Sequence, residues 1–256
     1  MVHLYGPNVH IADSPSLFHL LARFSSPDTR QPDINALVRY LYAELARMVL
    51  DGEFPAARVE TKTRMHSLTP AGVVRGTGLD TSVRAVICCI MRAGVIPSLA
   101  FFDFLSWCLG PDAVRQDFIS SSRSTDERGC VTGAIVESSK IGGSIEGSIL
   151  VFPDPMGATG STLSSVLKEY GARKLGRPKK VIAANLMVTP EYLRHVTRAH
   201  PEMRVYALRL DRGLSEASVL ATVPGTHWDR ERGLNDHQYI VPGAGGVGEI
   251  INNSFV

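Results

Sequence analysis

The sequence has little of the features that would place a protein in a membrane, on nucleic acid or in the secretory pathway. Among its 256 residues no apolar run approaches the roughly 20 residues that a membrane-spanning helix needs. The net charge of +2 is too small to argue for a nucleic-acid or membrane surface. Residues 1–8 lack the basic and long apolar segments of a secretory signal. We therefore expect a cytoplasmic protein that binds neither membranes nor nucleic acid.

Cysteine is also scarce, and its placement excludes two roles. Cys88 and Cys89 are adjacent in an apolar run, so on a strand they point to opposite faces and suit neither a mutual bridge nor a shared metal. The other two are Cys108 and Cys130. His195 and His200 stand five apart on a predicted helix and are not expected to share a face. The pattern predicts buried free thiols and no structural zinc.

What is present is the composition of an ordinary globular protein, with 44% apolar and 20% charged residues. One domain spanning residues 1–256 is expected. Apolar patterning predicts strands over 83–91, 115–121, 149–152, 181–188 and 205–210. Helices are predicted over 33–50, with Asp33 as the cap and Asp51-Gly52 as the end, and over 97–109, 163–170 and 190–199. The alternation indicates an α/β fold, a doubly wound, mostly parallel sheet flanked by helices.

Three segments lie outside this pattern. Residues 1–32 are predicted to form an extended N-terminal arm, and the polar, glycine-bearing residues from about 122 to 147 a β-hairpin flap. Arg212-Gly213-Leu214-Ser215 is nearly repeated by Arg232-Gly233-Leu234-Asn235. Two short copies do not make a solenoid, so residues 212–233 are predicted to be an inserted loop.

The most informative stretch is residues 151–162, Val-Phe-Pro-Asp-Pro-Met-Gly-Ala-Thr-Gly-Ser-Thr. A predicted strand leads to Asp154, then to a loop of small residues and a helical pattern. Backbone N–H groups and the helix dipole at such a junction bind phosphate, and small residues allow its close approach. Asp154 stands where a carboxylate could hold ribose hydroxyls beside that phosphate. No Lys follows the glycines and Gly-x-Gly-x-x-Gly is missing, so neither a Walker loop nor a dinucleotide site is indicated. The alternative is an ordinary glycine-rich turn.

A second candidate element is Ile90-Met91-Arg92-Ala93-Gly94, at the end of the strand predicted over 83–91. A guanidinium at a strand's carboxyl end, followed by two small residues, can direct charge and backbone amides at an oxyanion. The alternative is a solvated arginine that begins a loop.

Three blocks resemble the uracil phosphoribosyltransferases, a branch of the type I phosphoribosyltransferases. The stretch from Asp154 to Gly160 resembles their loop for 5-phosphoribosyl-1-pyrophosphate (PRPP), including the proline at position 155. Residues 90–94 resemble their Leu-Arg-Ala-Gly pyrophosphate loop. Residues 234–246, Leu-Asn-Asp-His-Gln-Tyr-Ile-Val-Pro-Gly-Ala-Gly-Gly, are similar to their uracil-binding stretch. The blocks occur in the family's order.

The resemblance implies roles for individual residues. Arg92 and Asp154 are the implied catalytic residues. The implied PRPP-binding residues are Arg92, Ala93, Gly94, Arg123, Lys140, Asp154, Pro155, Met156, Gly157, Ala158, Thr159, Gly160, Ser161 and Thr162. The implied uracil-binding residues are Tyr239, Ile240, Val241, Pro242, Gly243 and Gly245. Mg²⁺ is expected to be carried by PRPP, with no dedicated protein ligands.

The implied activity is transfer of the 5-phosphoribosyl group from PRPP to uracil, giving UMP and pyrophosphate in pyrimidine salvage. A homodimer or larger oligomer is implied, and a nucleotide effector such as GTP is left open. Two departures from the family matter: Gly246 stands where the family has Asp, and the insertion over 212–233 is expected beside the base site. Asp229, Asp236 or Glu249 are candidates for the missing carboxylate. The alternatives are transfer to another base and a non-catalytic sensor of PRPP or UMP.

Overall fold

The computed structural model describes residues 1–125 and 131–254, and the elements below refer to these residues. The strands are β1 (Val9–Ile11), β2 (Ala56–Lys62), β3 (Val73–Leu79), β4 (Ala85–Met91), β5 (Val114–Thr125), β6 (Val131–Lys140), β7 (Ile149–Pro153), β8 (Met156–Gly157), β9 (Lys180–Val188) and β10 (Arg204–Leu210). The helices are α1 (Pro15–Ser25), α2 (Asp33–Glu53), α3 (Val95–Leu109), α4 (Ser161–Ala172), α5 (Pro190–Ala199), α6 (Ala217–Leu220) and α7 (Val247–Ile250).

The main sheet has the order β1-β10-β9-β7-β4-β5-β6, and β8 pairs with β9. Its pairs are parallel except β5 with β6. The first core lies between the sheet and α1, α2 and α3, and the second lies between the sheet and α4 and α5. Every residue of β7 is buried because helices cover both faces of the sheet, which explains its unbroken apolar run. The predicted doubly wound α/β fold is confirmed.

Helix α2 does not end at Asp51-Gly52, as predicted, but continues to Glu53. A Cβ at Gly52 would collide with the Tyr206 hydroxyl, so glycine here permits close packing rather than a helix stop. Glu53 is buried, accepts a hydrogen bond from Tyr206 Oη at 3.0 Å and pairs with Lys180 Nζ at 2.7 Å. The start was also mispredicted, because Pro32 occupies the cap position and Asp33 is the first helical residue.

The prediction of an extended arm over residues 1–32 is wrong. Strand β1 pairs with β10 at the edge of the main sheet, and α1 buries Leu17, Leu21 and Phe24 in the first core. Ser14 caps α1 by accepting a hydrogen bond from the Leu17 N–H. The apolar residues at 17, 21 and 24 are spaced as on one face of a helix. Ser14 and Pro15 therefore mark the start of helix α1 rather than an extended arm.

The insertion over 212–233 is closed at its neck by its two near-repeats. Leu214 N donates to Arg232 O at 3.1 Å, and Arg212 pairs with buried Glu231 at 2.9 Å. The insertion packs against the N-terminal segment, where Leu4 N donates to Pro224 O at 2.8 Å. The insertion therefore packs beside the segment that leads into β1, at that edge of the sheet.

The hairpin predicted over 122–147 is built from β5 and β6, which pair antiparallel from Phe118 opposite Lys140. Cys130 and the other residues from 126 to 130 lie outside the described part. The backbone of Arg123 pairs with Ala134, but its side chain is likewise outside that part. Among the helices described, none is both long and apolar enough to cross a membrane.

Candidate active site

A cavity of about 720 Å³ opens at the carboxyl ends of β4, β7 and β9. It brings the three sequence blocks together, because neighbouring parallel strands deliver their following loops to one edge of the sheet. The predicted residues that line it are Arg92, Ala93, Asp154, Met156, Ala158, Thr159, Gly160, Ser161, Thr162, Tyr239, Ile240 and Gly245. Gly94, Lys140, Pro155, Gly157, Val241, Pro242 and Gly243 are described but are not on its wall.

The loop of small residues over 157–162, called the small-residue loop below, forms one wall and runs into the N-terminus of α4. Gly160 has φ +81°, a left-handed conformation that favours glycine, and α4 begins at Ser161. Thr159 Oγ1 accepts a hydrogen bond from Ser161 N at 3.3 Å and lies 2.9 Å from Ser161 Oγ. The first-turn N–H groups of any α-helix lack intrahelical partners, and here they adjoin these two hydroxyls. The wall therefore presents donors and a positive dipole end to an anion.

Asp154 follows the last residue of β7 and is held against β9. Its N–H donates to Ala184 O at 3.1 Å, and its Oδ1 accepts a hydrogen bond from Met156 N at 3.3 Å. Burial raises the pKa of the Cys89 thiol to about 11, and the negative charge of Asp154 adds to that increase. Burial and the same charge also raise the pKa of Tyr192. Both neighbours are therefore uncharged at neutral pH.

The loop containing Arg92 forms the opposite wall. Arg92 Nη1 donates to Ser254 Oγ at 2.7 Å, and Asn252 Nδ2 donates to Arg92 O at 3.5 Å. A Cβ at Gly94 would lie 2.6 Å from Ile90 O, so glycine permits the tight turn from β4 into α3. The exposed guanidinium thus stands at the cavity edge, partnered in this structure by the C-terminal segment.

The turn over 240–245 is fixed by a buried ion pair that the sequence interpretation missed. Asp211 accepts a hydrogen bond from Gly243 N at 2.8 Å, and Arg209 donates to Gly243 O at 3.0 Å. Arg209 and Asp211 also pair with each other at 2.5 Å. The one sequence signal for them is an Arg-Leu-Asp triplet at the end of a predicted strand. Arg209 and Asp211 together, called the Arg209–Asp211 clamp below, hold both backbone polar groups of Gly243 and so restrain the backbone of this turn.

Tyr239 and Ile240 enter the cavity from a short loop that Asn235 organises. Asn235 Oδ1 accepts hydrogen bonds from His237 N at 3.0 Å and Tyr239 N at 2.9 Å. Leu234 and Ile240 form a backbone bridge across its base. The predicted role of Tyr239 in ordering this loop remains a prediction.

Glu249 lines the cavity, together with Gly246, whereas Asp229 and Asp236 do not. None of the residues 212–233 lines the cavity. Both ends of the insertion nevertheless contact the turn over 240–245, because Gly213 N donates to Val241 O at 3.0 Å and Val241 N donates to Gly233 O at 2.8 Å. The insertion therefore begins and ends beside the implied base-binding turn, as expected, while its middle part packs against the N-terminal segment. Of the three candidate carboxylates, the fold therefore brings only Glu249 to the site.

The hairpin presents Glu137, rather than Lys140, to the cavity. Strand β4 ends level with Ser120, and Lys140 pairs with Phe118, two positions below that edge. Glu137 lies where the β5–β6 register shifts, lines the cavity and accepts a hydrogen bond from Ser120 Oγ at 3.1 Å. A bulge of this kind redirects a side chain, which the sequence pattern did not indicate.

His195 and His200 do not share a face of one helix, but both contact Ser164. Ser164 Oγ lies 3.0 Å from His195 Nε2 and 2.8 Å from His200 Nε2. Helix α5 ends at Ala199, and His200, with φ −137°, leaves the helical path and turns back toward α4. The described residues contain no group of three or more His, Cys, Asp or Glu that could hold a metal ion.

The structure is a doubly wound α/β fold with its cavity at the carboxyl ends of the central strands. A family model described as uracil phosphoribosyltransferase matches residues 11–230. The chain therefore belongs to the uracil phosphoribosyltransferase family. The matched residues end before the block at 234–246. The structure nevertheless places residues of that block in the cavity wall, among them Tyr239 and Ile240.

Individual relatives agree. The chain is 26% identical over 246 residues to the uracil phosphoribosyltransferase of Caldanaerobacter subterraneus subsp. tengcongensis, covering 94% of this chain and 96% of that protein. It is 38% identical over 84 residues to that of Thermococcus gammatolerans, where it spans only 37% of the relative's length. Among solved structures, the AQ2163 protein from Aquifex aeolicus has a TM-score of 0.69 at 23% identity, covering 95% of this chain and 97% of that one.

Proposed function

We propose that this protein transfers the 5-phosphoribosyl group from PRPP to uracil, giving UMP and pyrophosphate in pyrimidine salvage. The observation that carries this proposal is the single cavity that joins the small-residue loop, the Arg92 loop and the turn at 240–245. Its volume of about 720 Å³ suits a nucleotide-sized ligand. Family membership supports the same chemistry.

In this proposal the small-residue loop binds the 5′-phosphate. The donors at Thr159, Ser161 and the α4 N-terminus suit a dianion. Asp154, which precedes this loop in the sequence and lines the same cavity, accepts the two ribose hydroxyls. Arg92 and the backbone of Ala93 face the pyrophosphate, which leaves as the new bond to uracil forms. Gly94 shapes the turn, since its N–H donates to Ile90 O at 2.9 Å.

The reaction is expected to pass through an oxocarbenium-like ribosyl centre, so the residues act by positioning and by stabilising the departing pyrophosphate. No side-chain nucleophile is needed, which agrees with the raised pKa of Cys89. Glu137, Asp154 and Glu249 add carboxylate oxygens, the donors that Mg²⁺ prefers, to the cavity wall, but among the described residues they do not form a metal-binding group of three. Mg²⁺ carried by PRPP would offset the pyrophosphate charge.

Closure of the hairpin over 122–147 is proposed to exclude water, which would otherwise hydrolyse PRPP. In the closed form Arg123 and Lys140 would contribute positive charge. Lys140 now lies below the cavity edge, so this role requires the β5–β6 hairpin to move relative to β4.

Uracil is proposed to be read by backbone groups of the turn over 240–245, of which Ile240 and Gly245 line the cavity. The Arg209–Asp211 clamp holds the N–H and C=O of Gly243, so the neighbouring amides cannot rotate to suit another base. Cytosine exchanges donors and acceptors at positions 3 and 4. Leaving such polar groups unpaired can reject an analogue by about 10⁴-fold or more.

Self-association through α3 is also proposed. This helix is apolar apart from Ser98, Asp103 and Ser106, and it leaves Val95, Leu99 and Trp107 exposed on the face that also carries Asp103. Trp107 is 83% exposed. A second copy of the chain is the proposed occupant, giving a homodimer or larger oligomer. Trp107→Glu is expected to sediment as a smaller species than the unaltered protein, and an unchanged sedimentation coefficient would exclude this interface.

The test of the activity is UMP formation from uracil, PRPP and Mg²⁺, with cytosine, hypoxanthine and orotate as controls. The proposal expects turnover with uracil alone. Turnover with another base would change the assigned substrate, and PRPP binding without turnover on any base would indicate a non-catalytic sensor. Since PRPP and UMP are intracellular metabolites, the proposed location is the cytoplasm.

A further inference from the structure

Asn185 is a polar residue in the wall of the cavity that neither the sequence motifs nor the proposed chemistry accounts for. It lies on β9, one strand over from Asp154, and is only 1% exposed. Phe152, Ala183 and Leu163 line the same part of the cavity, so its surroundings are largely apolar.

The amide nitrogen of Asn185 donates to the backbone carbonyl of Asp154 at 2.7 Å. That carbonyl can only accept, so the contact fixes which end of the amide faces it. The backbone N–H of Asp154 donates to Ala184 O, also on β9. Both backbone polar groups of Asp154 are therefore held by consecutive residues of the neighbouring strand.

The other end of the amide suggests that Asn185 is not retained for stability. Its Oδ1 is buried and, among the described residues, has no hydrogen-bond partner. A buried acceptor without a partner is costly, and an apolar side chain of similar size would avoid that cost. Such a substitution would lose the hydrogen bond to the Asp154 carbonyl and the hydrogen-bond contact with the Tyr192 side chain, which acts to lower the pKa of that tyrosine.

We propose that Asn185 is a positioning residue for phosphoribosyl transfer, which holds the main chain of Asp154 so that its carboxylate stays directed at the ribose. This inference rests on the proposed function. Asp154 follows a strand end and precedes a turn, so its direction depends on how its own backbone is anchored. Misplacement of a catalytic group by about 1 Å can cost 10²-fold in rate.

The first test is Asn185→Leu, which keeps the branched shape and the number of heavy atoms but removes the donor. We expect kcat to fall at least tenfold and the affinity for PRPP, measured by calorimetry, to fall about tenfold, with KM for uracil nearly unchanged. The matched control is Thr197→Val, which removes a 2.8 Å hydrogen bond from a side chain to the Leu193 carbonyl on α5, outside the cavity wall. The control should leave kcat and KM unchanged.

The second test is Asn185→Asp, which keeps the shape. A carboxyl group in this apolar wall, beside Asp154, should have a raised pKa. Protonated, it can donate to the Asp154 carbonyl; ionised, it cannot. The variant's kcat should therefore be closest to that of the unaltered protein at low pH and fall as pH rises, through an ionisation that neither the unaltered protein nor Asn185→Leu shows. A residue that only stabilised the fold would not alter the pH profile in this way.

Failure of this inference is distinguishable from failure of the proposed function. Absence of UMP formation by the unaltered protein would overturn the function, while PRPP affinity would still report on Asn185. If Asn185→Leu does not fold, the isosteric Asn185→Asp carries the test. Unchanged kcat and PRPP affinity in Asn185→Leu, or an unaltered pH profile in Asn185→Asp, would overturn the positioning role.

Discussion

The carboxylate of Glu249 occupies the space that a side chain at Gly246 would need. A Cβ built on Gly246 would overlap Glu249 Oε2, and both residues line the cavity. Related enzymes are expected from the resemblance to have Asp at the position of Gly246. In this chain a glycine opens that space, and a carboxylate three residues later fills it from α7. We infer that Glu249 supplies the negative charge and acceptor that the motif lacks at 246.

Variants at positions 246 and 249 test whether the Glu249 carboxylate takes the place of an Asp at 246. Glu249→Gln is expected to lower uracil turnover at least tenfold, because the carboxylate is lost while the shape is kept. Gly246→Asp alone should change turnover little, because its Cβ would displace only the flexible end of the Glu249 side chain and its own carboxylate would replace that charge. Gly246→Asp combined with Glu249→Ala should recover much of the activity lost in Glu249→Ala.

Asp229→Ala and Asp236→Ala are the controls, because both residues lie off the cavity wall and should remain near full turnover. A large gain from Gly246→Asp, with Glu249→Ala silent, would show instead that this chain has lost a catalytic group.

The phosphate role of the small-residue loop predicts a specific effect on PRPP. Thr159→Val keeps the size of the side chain but removes the hydroxyl that contacts Ser161. A charge-assisted hydrogen bond contributes about 1.5–3 kcal/mol, so KM for PRPP should rise tenfold or more. Gly160→Val should raise it further, since a Cβ there would lie 2.9 Å from His195 Cδ2 and φ is positive. Unchanged PRPP kinetics in Thr159→Val would remove the assignment.

Asp154→Asn separates a ribose contact from a structural one. The residue lies at a strand end in a partly exposed site, so its backbone anchors should survive the change. Turnover should fall at least a hundredfold, while the melting temperature moves by only a few degrees. Steady-state rates and thermal denaturation measured on the same preparation check this. Outright unfolding would show that Asp154 has a structural role. Full activity would show that its carboxylate is not needed for the reaction.

Arg92→Ala is expected to cost more than Lys140→Ala. Arg92 follows a buried strand and lines the cavity, whereas Lys140 requires movement of the hairpin to reach it. Rates and inhibition by pyrophosphate should show a large loss for Arg92→Ala and a smaller one for Lys140→Ala. Arg198→Ala, an exposed arginine on α5 that does not line the cavity, is the matched control. Equal, negligible effects at 92 and 140 would contradict both roles.

The sequence was sufficient for the central strands and for the three blocks that meet at the cavity. Strands β4 and β7 are apolar throughout because both faces are covered, so their positions and the loops after them could be predicted. The sequence pattern ends helix α2 too early, because a glycine near a helix end is typical of a stop. Gly52 is needed here for a different reason, which is close contact with Tyr206 on a distant strand.

The missed parts of the site depend on long-range contacts. The hydrogen bond between Asn185 and Asp154 joins residues 31 apart in the sequence. The hydrogen bond between Gly243 and Asp211 joins residues 32 apart. Neither pair has a local motif, so only the register of β9 and the return of the chain after the insertion bring them together. His195 and His200 converge for a similar reason, because α5 ends one residue before His200.

The most direct measurement is the structure of the protein with bound UMP. The account predicts the 5′-phosphate on the backbone N–H groups of residues 158–162, the ribose hydroxyls on the Asp154 carboxylate and the uracil edge on the backbone of 240–245. It also predicts the Asn185 amide still bonded to the Asp154 carbonyl. UMP bound outside this cavity, or with its base at the small-residue loop and its phosphate at Tyr239, would contradict the account.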